Sequence, residues 1–403
     1  MRWIVLMLLL ASATVASTAA TSAGDRPDAL PIGDPERRDK TVPIELDTLF
    51  DTRASETLTP SQLSERLRDV RLLLVGESHT SEEFHRVQEM VIRELRQAGR
   101  KVVVGLEMMP TEAQLALDRW TAGELSEEAF LEQAEWYENW GYHWEYYRAI
   151  FQLARRQAIP MRGLNVPREL VRAAREKGFE GLDEAHRRRL PPEIQQATDE
   201  FRRLFLSYFD EDSGHRPEGD MLEGFLRSQI SWDASMGFAA AEILKEDPEA
   251  LVVVLVGSGH VAYGLGIARQ VASLVDGGIA TLIPVPVTLD GEPREGVSAS
   301  YADVLWGVAE EPWPRFPSLG LSTRAGEEGA REVLFVTEES AAESAGIQVG
   351  DLLLSIDGHA VDGARIVRQV MGSKHWGDTV ELRWRRGDEE MSATAYLRRK
   401  SLD

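Results

Sequence analysis

A chain of 403 residues is long enough for one large domain plus a small one, or for two or three of medium size. With 43% hydrophobic and 28% charged residues it has the balance of a globular protein able to bury a core. Lys and Arg total 45 against 67 Asp and Glu, and the resulting net charge of -22 speaks against nucleic acid or an anionic membrane surface as partner. The absence of cysteine excludes disulfides, thiolate metal sites, thiolate haem ligation and cysteine nucleophiles together.

In chain order, Arg2, the apolar run Trp3 to Ala16 and the small residues Ser17 to Ala23 read as a signal peptide over 1–23. The run is shorter than the roughly 20 residues a bilayer span requires. Without a cysteine there is no lipid attachment, so an exported protein, periplasmic or secreted and not a lipoprotein, is expected. Residues 24–43 hold Pro27, Pro31, Pro35 and Pro43 among charges and read as a disordered lead-in. From residue 44 the text alternates. Apolar runs at 71–75, 101–107, 159–165, 251–256 and 281–287 are of strand length. Between the first two, Phe84, Val87, Val91, Leu95 and Ala98 share one helical face, with Thr80 and Glu83 as a capping box. Residues 166–249 are helix-like and charged. Buried strands separated by helices predict an α/β domain over 44–308, with a mainly parallel sheet and a helical insertion. Three prolines within 309–317 mark a linker. Short strands punctuated by Asp357-Gly358 and Gly387-Asp388 then predict a small β-rich domain over 318–399.

Two strands end alike, in Gly76-Glu77-Ser78-His79 and in Gly257-Ser258-Gly259-His260. Ligands of parallel sheets sit beyond the carboxyl ends of the strands. Both imidazoles should therefore meet Glu77 and Glu107 at one edge, a donor set suited to Mn²⁺, Co²⁺, Fe²⁺ or Zn²⁺. Either Gly-x-x-His alone reads as a strand-end cap; two copies plus Glu107 read as a site. His79, His260, Glu77 and Glu107 are the candidate metal ligands, with Glu77 or Glu107 as general base for a bound water. His85, off the apolar stripe of its helix, is placed to face the same cleft. The bare glycines around His260 suggest that His260→Ala weakens ligand binding about tenfold and barely moves apo stability. Ser78 and Ser258 lie near histidines but in no G-x-S-x-G elbow, which gives a serine hydrolase little support.

The ordered set Gly76-Glu-Ser-His79, His85, Gln88, Glu107-Met-Met, Tyr147, Asn165-Val-Pro-Arg168, Trp232-Asp233, Gly257-Ser-Gly-His260, Tyr263-Gly264 and Ala302 to Trp306 resembles the ChaN-like haem-binding family. That family shares a superfamily with Tiki proteases and erythromycin esterases, and the likeness spans roughly residues 44–308. It implies haem binding and iron uptake, through a tyrosine in haem-binding members. Tyr208, Tyr263 and the tyrosines of the aromatic cluster at 136–147, Tyr147 among them, all stay open for that role, with His85, Arg168 and Asp233 as further cleft candidates. Residues 136–147 hold three of ten Trp and four of eight Tyr, enough to wall a porphyrin or simply to pack a core. The Tiki likeness implies instead a divalent metal and a hydrolase or peptidase.

Residues 318–399 resemble a bacterial PDZ domain. Ser318-Leu319-Gly320-Leu321 matches the carboxylate-binding loop, and Glu339 to Asp351 with Ile356-Asp-Gly358 match the signature turn and hairpin. The resemblance implies capture of a partner's C-terminal peptide by backbone N–H groups of the loop. Two classes of function follow: an exported haem- or iron-binding protein with a docking module, or a metal-dependent hydrolase. Whether a haem site would require a homodimer stays open.

Overall fold

Strands that are apolar at every position need cover on both faces, and the central sheet receives it. The computed structural model describes residues 26–209 and 216–399; the expected signal peptide lies outside them. The strands of the first domain are β1 (Thr41–Ile44), β2 (Leu49–Asp51), β3 (Glu56–Leu58), β4 (Val70–Glu77), β5 (Val102–Pro110), β6 (Met161–Asn165), β7 (Leu251–Gly257), β8 (Gly278–Val287), β9 (Arg294–Ser298) and β10 (Val304–Ala309). Eight of them form one sheet in the order β3-β2-β10-β8-β4-β7-β5-β6. From β10 to β6 every pairing is parallel, and only the pairings of β2, with β10 and with β3, are antiparallel. This is the expected α/β class.

Alternation divides each strand between two cores. Leu73, Val75, Val104, Leu106, Val253 and Leu255 face a layer containing the helix Glu82–Gln97 and the aromatic segment. Leu72, Leu74, Val103, Val252, Val254 and Val256 face the other, containing the helix Gly219–Glu246. The helical stretch after β6 is therefore the crossover that covers one face of the sheet, not an appendage. Ser81, not Thr80, caps the helix Glu82–Gln97, its hydroxyl accepting from the Phe84 N–H. The Glu311 carboxylate adds to this cap, meeting the Ser81 hydroxyl and the N–H groups of Glu82 and Glu83. An anion at a helix N-terminus stabilises it by typically 0.3–1 kcal/mol, roughly.

The lead-in is not disordered where it is described. Leu30 and Ile32 are buried, and β1 pairs with β9. Arg37 donates to Thr52 Oγ1 at 2.6 Å and pairs with Asp303 at 3.1 Å. Proline-rich composition suggested disorder because these long-range partners are invisible locally.

The second domain contains β11 (Leu321–Ala325), β12 (Arg331–Val336), β13 (Leu352–Ile356), β14 (His359–Ala360), β15 (Thr379–Arg386) and β16 (Glu389–Tyr396), with the helix Ala364–Met371. Its sheet runs β11-β12-β13-β15-β16, leaving β11 at an edge. Its own core gathers Leu319, Val333, Leu353, Ile356, Val380, Leu382 and Trp384.

The proline-rich linker is seated. Phe316 is buried, stacks on His143 with ring centroids 3.6 Å apart, and donates its N–H to Tyr146 Oη at 3.2 Å. Among the described residues no helix is long and apolar enough to cross a membrane. His143 Nδ1 accepts from the Glu145 N–H, so the stacked ring is neutral. Burial, then the charges of His375 and Arg315, pushes its pKa down to about 4. An unfolded histidine titrates near 6.5, so below that pH the unfolded chain binds the extra proton and the native state loses stability. Melting of the full chain between about pH 7.5 and pH 5 should accordingly fall more in wild type than in His143→Phe; equal falls would show that this stack does not carry the titration.

Candidate functional site

The register of three adjacent strands builds the site. Glu77 on β4 pairs with Gly257 on β7, and Leu106 on β5 pairs with Leu255. Glu77, Glu107 and the turn after Gly257 therefore stand at one height on the carboxyl edge of the sheet. Both carboxylates are buried.

Glu77 is surrounded by donors. Oε1 lies 2.6 Å from His79 Nδ1 and accepts from the Tyr147 hydroxyl at 2.9 Å. Oε2 accepts from Gln88 Nε2 at 2.8 Å and lies 3.3 Å from His85 Nε2. Burial alone would raise the Glu77 pKa, but His85 and His79 outweigh it and hold the carboxyl far below its ordinary range. For His79, burial opposes protonation, yet the bond to Glu77 and the charge of Glu107 raise its pKa. Its ring meets Trp140 and Tyr142 at centroid distances of 4.9 and 4.7 Å, and the side chain keeps 13% exposure. Its Nε2 hydrogen-bonds to no described residue. A Cβ on Gly257 would lie 3.2 Å from His79 Cε1, so glycine there leaves room for this imidazole.

Glu107 accepts from the Gly257 N–H at 2.7 Å and faces His260 Nε2 at 3.4 Å. His260 Nδ1 lies 2.6 Å from Asp233 Oδ1, and Gln229 Nε2 stands 2.9 Å away. Burial works against a charged His260, but Asp233 and Glu107 prevail and push its pKa up to about 10. His260 thus bridges two buried carboxylates, with Nδ1 on Asp233 and Nε2 toward Glu107. Among the described residues the group with donor atoms close enough for an ion is Glu77, His79 and Glu107, all within 4.8 Å; the expected fourth ligand, His260, supports Glu107 from behind.

Comparison with known proteins fits this picture. The family model described as haem-binding uptake, Tiki superfamily, ChaN matches residues 63–271, more than half of the chain. The chain belongs to the ChaN-like haem-binding family. A PDZ domain model matches residues 317–397, so this ChaN-like chain carries a PDZ domain at its second sheet. The structure of ChaN of Campylobacter jejuni, titled for cofacial heme binding, shares the fold at 18% identity and a TM-score of 0.51, over 64% of this chain and 95% of that one. A serine endoprotease from Yersinia pestis is similar at 17% identity over 21% of this chain and 29% of its own, with a TM-score of 0.19. A search of curated proteins returned no match.

The remaining candidates of the ChaN-like domain divide. His85 and Tyr147 join the site as supports of Glu77. Tyr147 is fully buried with its hydroxyl spent, and burial and Glu77 raise its pKa well above the ordinary value, which disfavours an axial phenolate. Asp233 supports His260. Tyr263 does not reach the cleft: its hydroxyl donates to Pro27 O at 2.8 Å and accepts from the Leu30 N–H, clasping the lead-in. Tyr208 lies against Gly259, where a Cβ would meet its ring at 3.7 Å. Arg168 is exposed and donates to Asn139 O at 2.8 Å. Glycine at 257 and 259 serves no left-handed turn, since neither has positive φ. Gln229 was missed, although its place one helical turn before Asp233 offered a signal.

In the PDZ loop Gly320 has φ +72°, and a Cβ there would sit 2.2 Å from that of Ser340. The carbonyls of Leu319 and Gly320 accept from Ala342 and Thr337, inward. In a trans peptide N–H opposes C=O, so the Gly320 and Leu321 N–H groups point away from the domain body. Leu321, at the start of edge strand β11, and the helix residues Ile366, Val367 and Val370 stay half-buried against the core of the domain.

The bridge at His260 argues against a stability-neutral alanine. His260→Ala leaves Asp233 and Glu107 buried without their cation, a loss of about 3–5 kcal/mol. Urea unfolding of the apo protein should show it, and Asp233→Asn added to His260→Ala should recover part. An unshifted midpoint would mean the carboxylates are compensated elsewhere.

Proposed function

We propose that the α/β domain binds haem beside His79, and that the PDZ domain docks the C-terminal peptide of a partner, in an exported iron-handling protein. The observation that carries the haem reading is His79 itself. Its Nδ1 is tied to Glu77, leaving Nε2 as the donor, and its partly exposed ring stands against Trp140 and Tyr142. A carboxylate on the far nitrogen fixes the tautomer and strengthens the ring as a ligand. Haem, when bound, supplies an iron that takes such an axial donor, and aromatic rings suit its flat faces. Tyr142 is the other polar side chain at this wall, half-buried, and burial, then Glu107 and Glu77, raise its pKa and disfavour a phenolate.

A second reading, a metal-dependent hydrolase, is favoured by the proximity of Glu77, His79 and Glu107. The protonation chemistry weighs against it. Both oxygens of Glu77 already face protein donors, and its pKa and that of Glu107 are lowered, whereas a general base works best near neutrality. Glu77 and Glu107 fit the role of positioning acceptors better than that of base.

Haemin added to the purified chain should shift the Soret band, and His79→Ala should weaken binding about tenfold or more, the equivalent of roughly 1.4 kcal/mol. Elemental analysis run alongside separates the readings: a tightly held divalent ion with no Soret shift favours the hydrolase.

For the PDZ domain the outward N–H groups of Gly320 and Leu321 support carboxylate capture, and the half-buried Val367 and Val370 support an apolar last residue. Peptides with a free carboxyl end should bind, and their amides should lose most of the affinity because the charged acceptor is gone. Equal affinity for the two forms would refute capture of the terminus.

A further inference from the structure

The two domains meet at the short helix of the aromatic segment, among other contacts. Trp136–Asn139 is a short helix of the α/β domain, and its last carbonyls are approached from both sides. Arg168, the first residue of the helix after β6, donates Nη2 to Asn139 O at 2.8 Å. Arg368, on the PDZ helix Ala364–Met371, donates Nη1 to Glu138 O at 2.9 Å and to Tyr137 O at 3.2 Å. Arg331 stands behind them at the start of β12, its Nε and Nη2 spent on Thr323.

None of these three guanidinium groups makes an ion pair with a described carboxylate. Glu138, the adjacent acid, is exposed, makes no ion pair with them and offsets the three cations only in part. Capping so short a helix requires one cation, and a guanidinium carries five N–H donors, so most of this hydrogen-bonding capacity is unspent. Like charges brought together cost stability unless an anion joins them. The strain registers on Arg368, whose pKa is brought down to about 10 by burial and by Arg168 and Arg331.

The position gives the cluster its meaning. Immediately after Asn139 come Trp140 and Tyr142, the two rings against His79. The Tyr142 hydroxyl feels both Glu107 and Glu77 on one side and Arg168 and Arg368 on the other. We infer that Arg168 and Arg368, one from each domain, form a clamp for a carboxylate of the ligand bound at the aromatic wall. On the haem reading, on which this identification rests, the clamp takes a propionate group while the apolar macrocycle meets Trp140 and Tyr142. Ligand binding would then draw on the PDZ domain directly, and a chain lacking it would hold the ligand less well.

The test compares haemin with haemin dimethyl ester, which keeps ring and iron but caps both carboxylates, in equilibrium titrations of the full chain. Wild type should prefer haemin by about tenfold or more. Arg168→Gln and Arg368→Gln should each lose most of that preference while binding the ester as wild type does. Glu138→Gln, at an exposed side chain with no fold to upset, should raise the preference by removing the one nearby acid. Equal binding of the two probes by wild type overturns the clamp, as does an unchanged preference in the variants. If wild type binds neither probe, the haem reading falls and inorganic phosphate decides the clamp. Millimolar phosphate, against chloride at equal ionic strength, should then raise the melting temperature of wild type but not of the arginine variants; no such rise rejects an anion site.

Discussion

Two carboxylates buried at the end of apolar strands impose the organisation of this protein. Leaving Glu77 or Glu107 uncompensated in the interior would cost several kcal/mol, roughly. Their donors arrive from the rest of the domain: Gln88 and His85 from the helix after β4, Tyr147 from the aromatic segment, the Gly257 N–H from β7, and His260 from the turn beyond it. His260 in turn requires Asp233, which lies on the long helix across the sheet. Satisfying two charges therefore fastens both helical layers to one edge. It also leaves His79 as the member of the network with a nitrogen to spare.

The aromatic segment 136–147 transmits that arrangement outward. Trp136, Trp144 and Tyr147 are buried in the core. Trp140 and Tyr142 line His79, whereas His143 and Tyr146 receive Phe316 from the linker. Tyr137 and Glu138 give their carbonyls to the PDZ helix through Arg368. Because the segment breaks into two short helical turns, neighbouring side chains leave in different directions. A single long helix would have put the same rings on fixed faces and could not have reached all three surroundings. The wall of the site and the seat of the PDZ domain are consequently parts of one piece of chain.

Several features were legible locally because their signals are local. Unbroken apolar runs of strand length specify a sheet covered on both faces, and Gly-x-x-His after a strand specifies an imidazole at its carboxyl edge. The loop around Gly320 and the turns at Gly358 and Gly387 carry their positive φ in their composition. Other readings failed because the deciding partner is distant in sequence. Residues 24–43 read as disordered by composition, whereas Tyr263, Thr52 and Asp303 hold the described part of them in place. Thr80 looked like the cap, but Ser81 holds that place and Glu311 reinforces it from more than two hundred residues away.

Sequence by itself determined the class of fold, the order of the two domains and the residue types gathered at the sheet edge, since period, turn chemistry and motif spacing are written along the chain. Tertiary structure decided the role of each residue. His79 and His260 end alike in Gly-x-x-His, yet His79 is hydrogen-bonded to Glu77 alone and leaves its Nε2 without a described partner, while His260 stands between Asp233 and Glu107. That difference arises from Asp233, placed beside His260 by a helix with no counterpart at His79. The charge of a buried imidazole follows from the groups that surround it in space, and no local pattern encodes them.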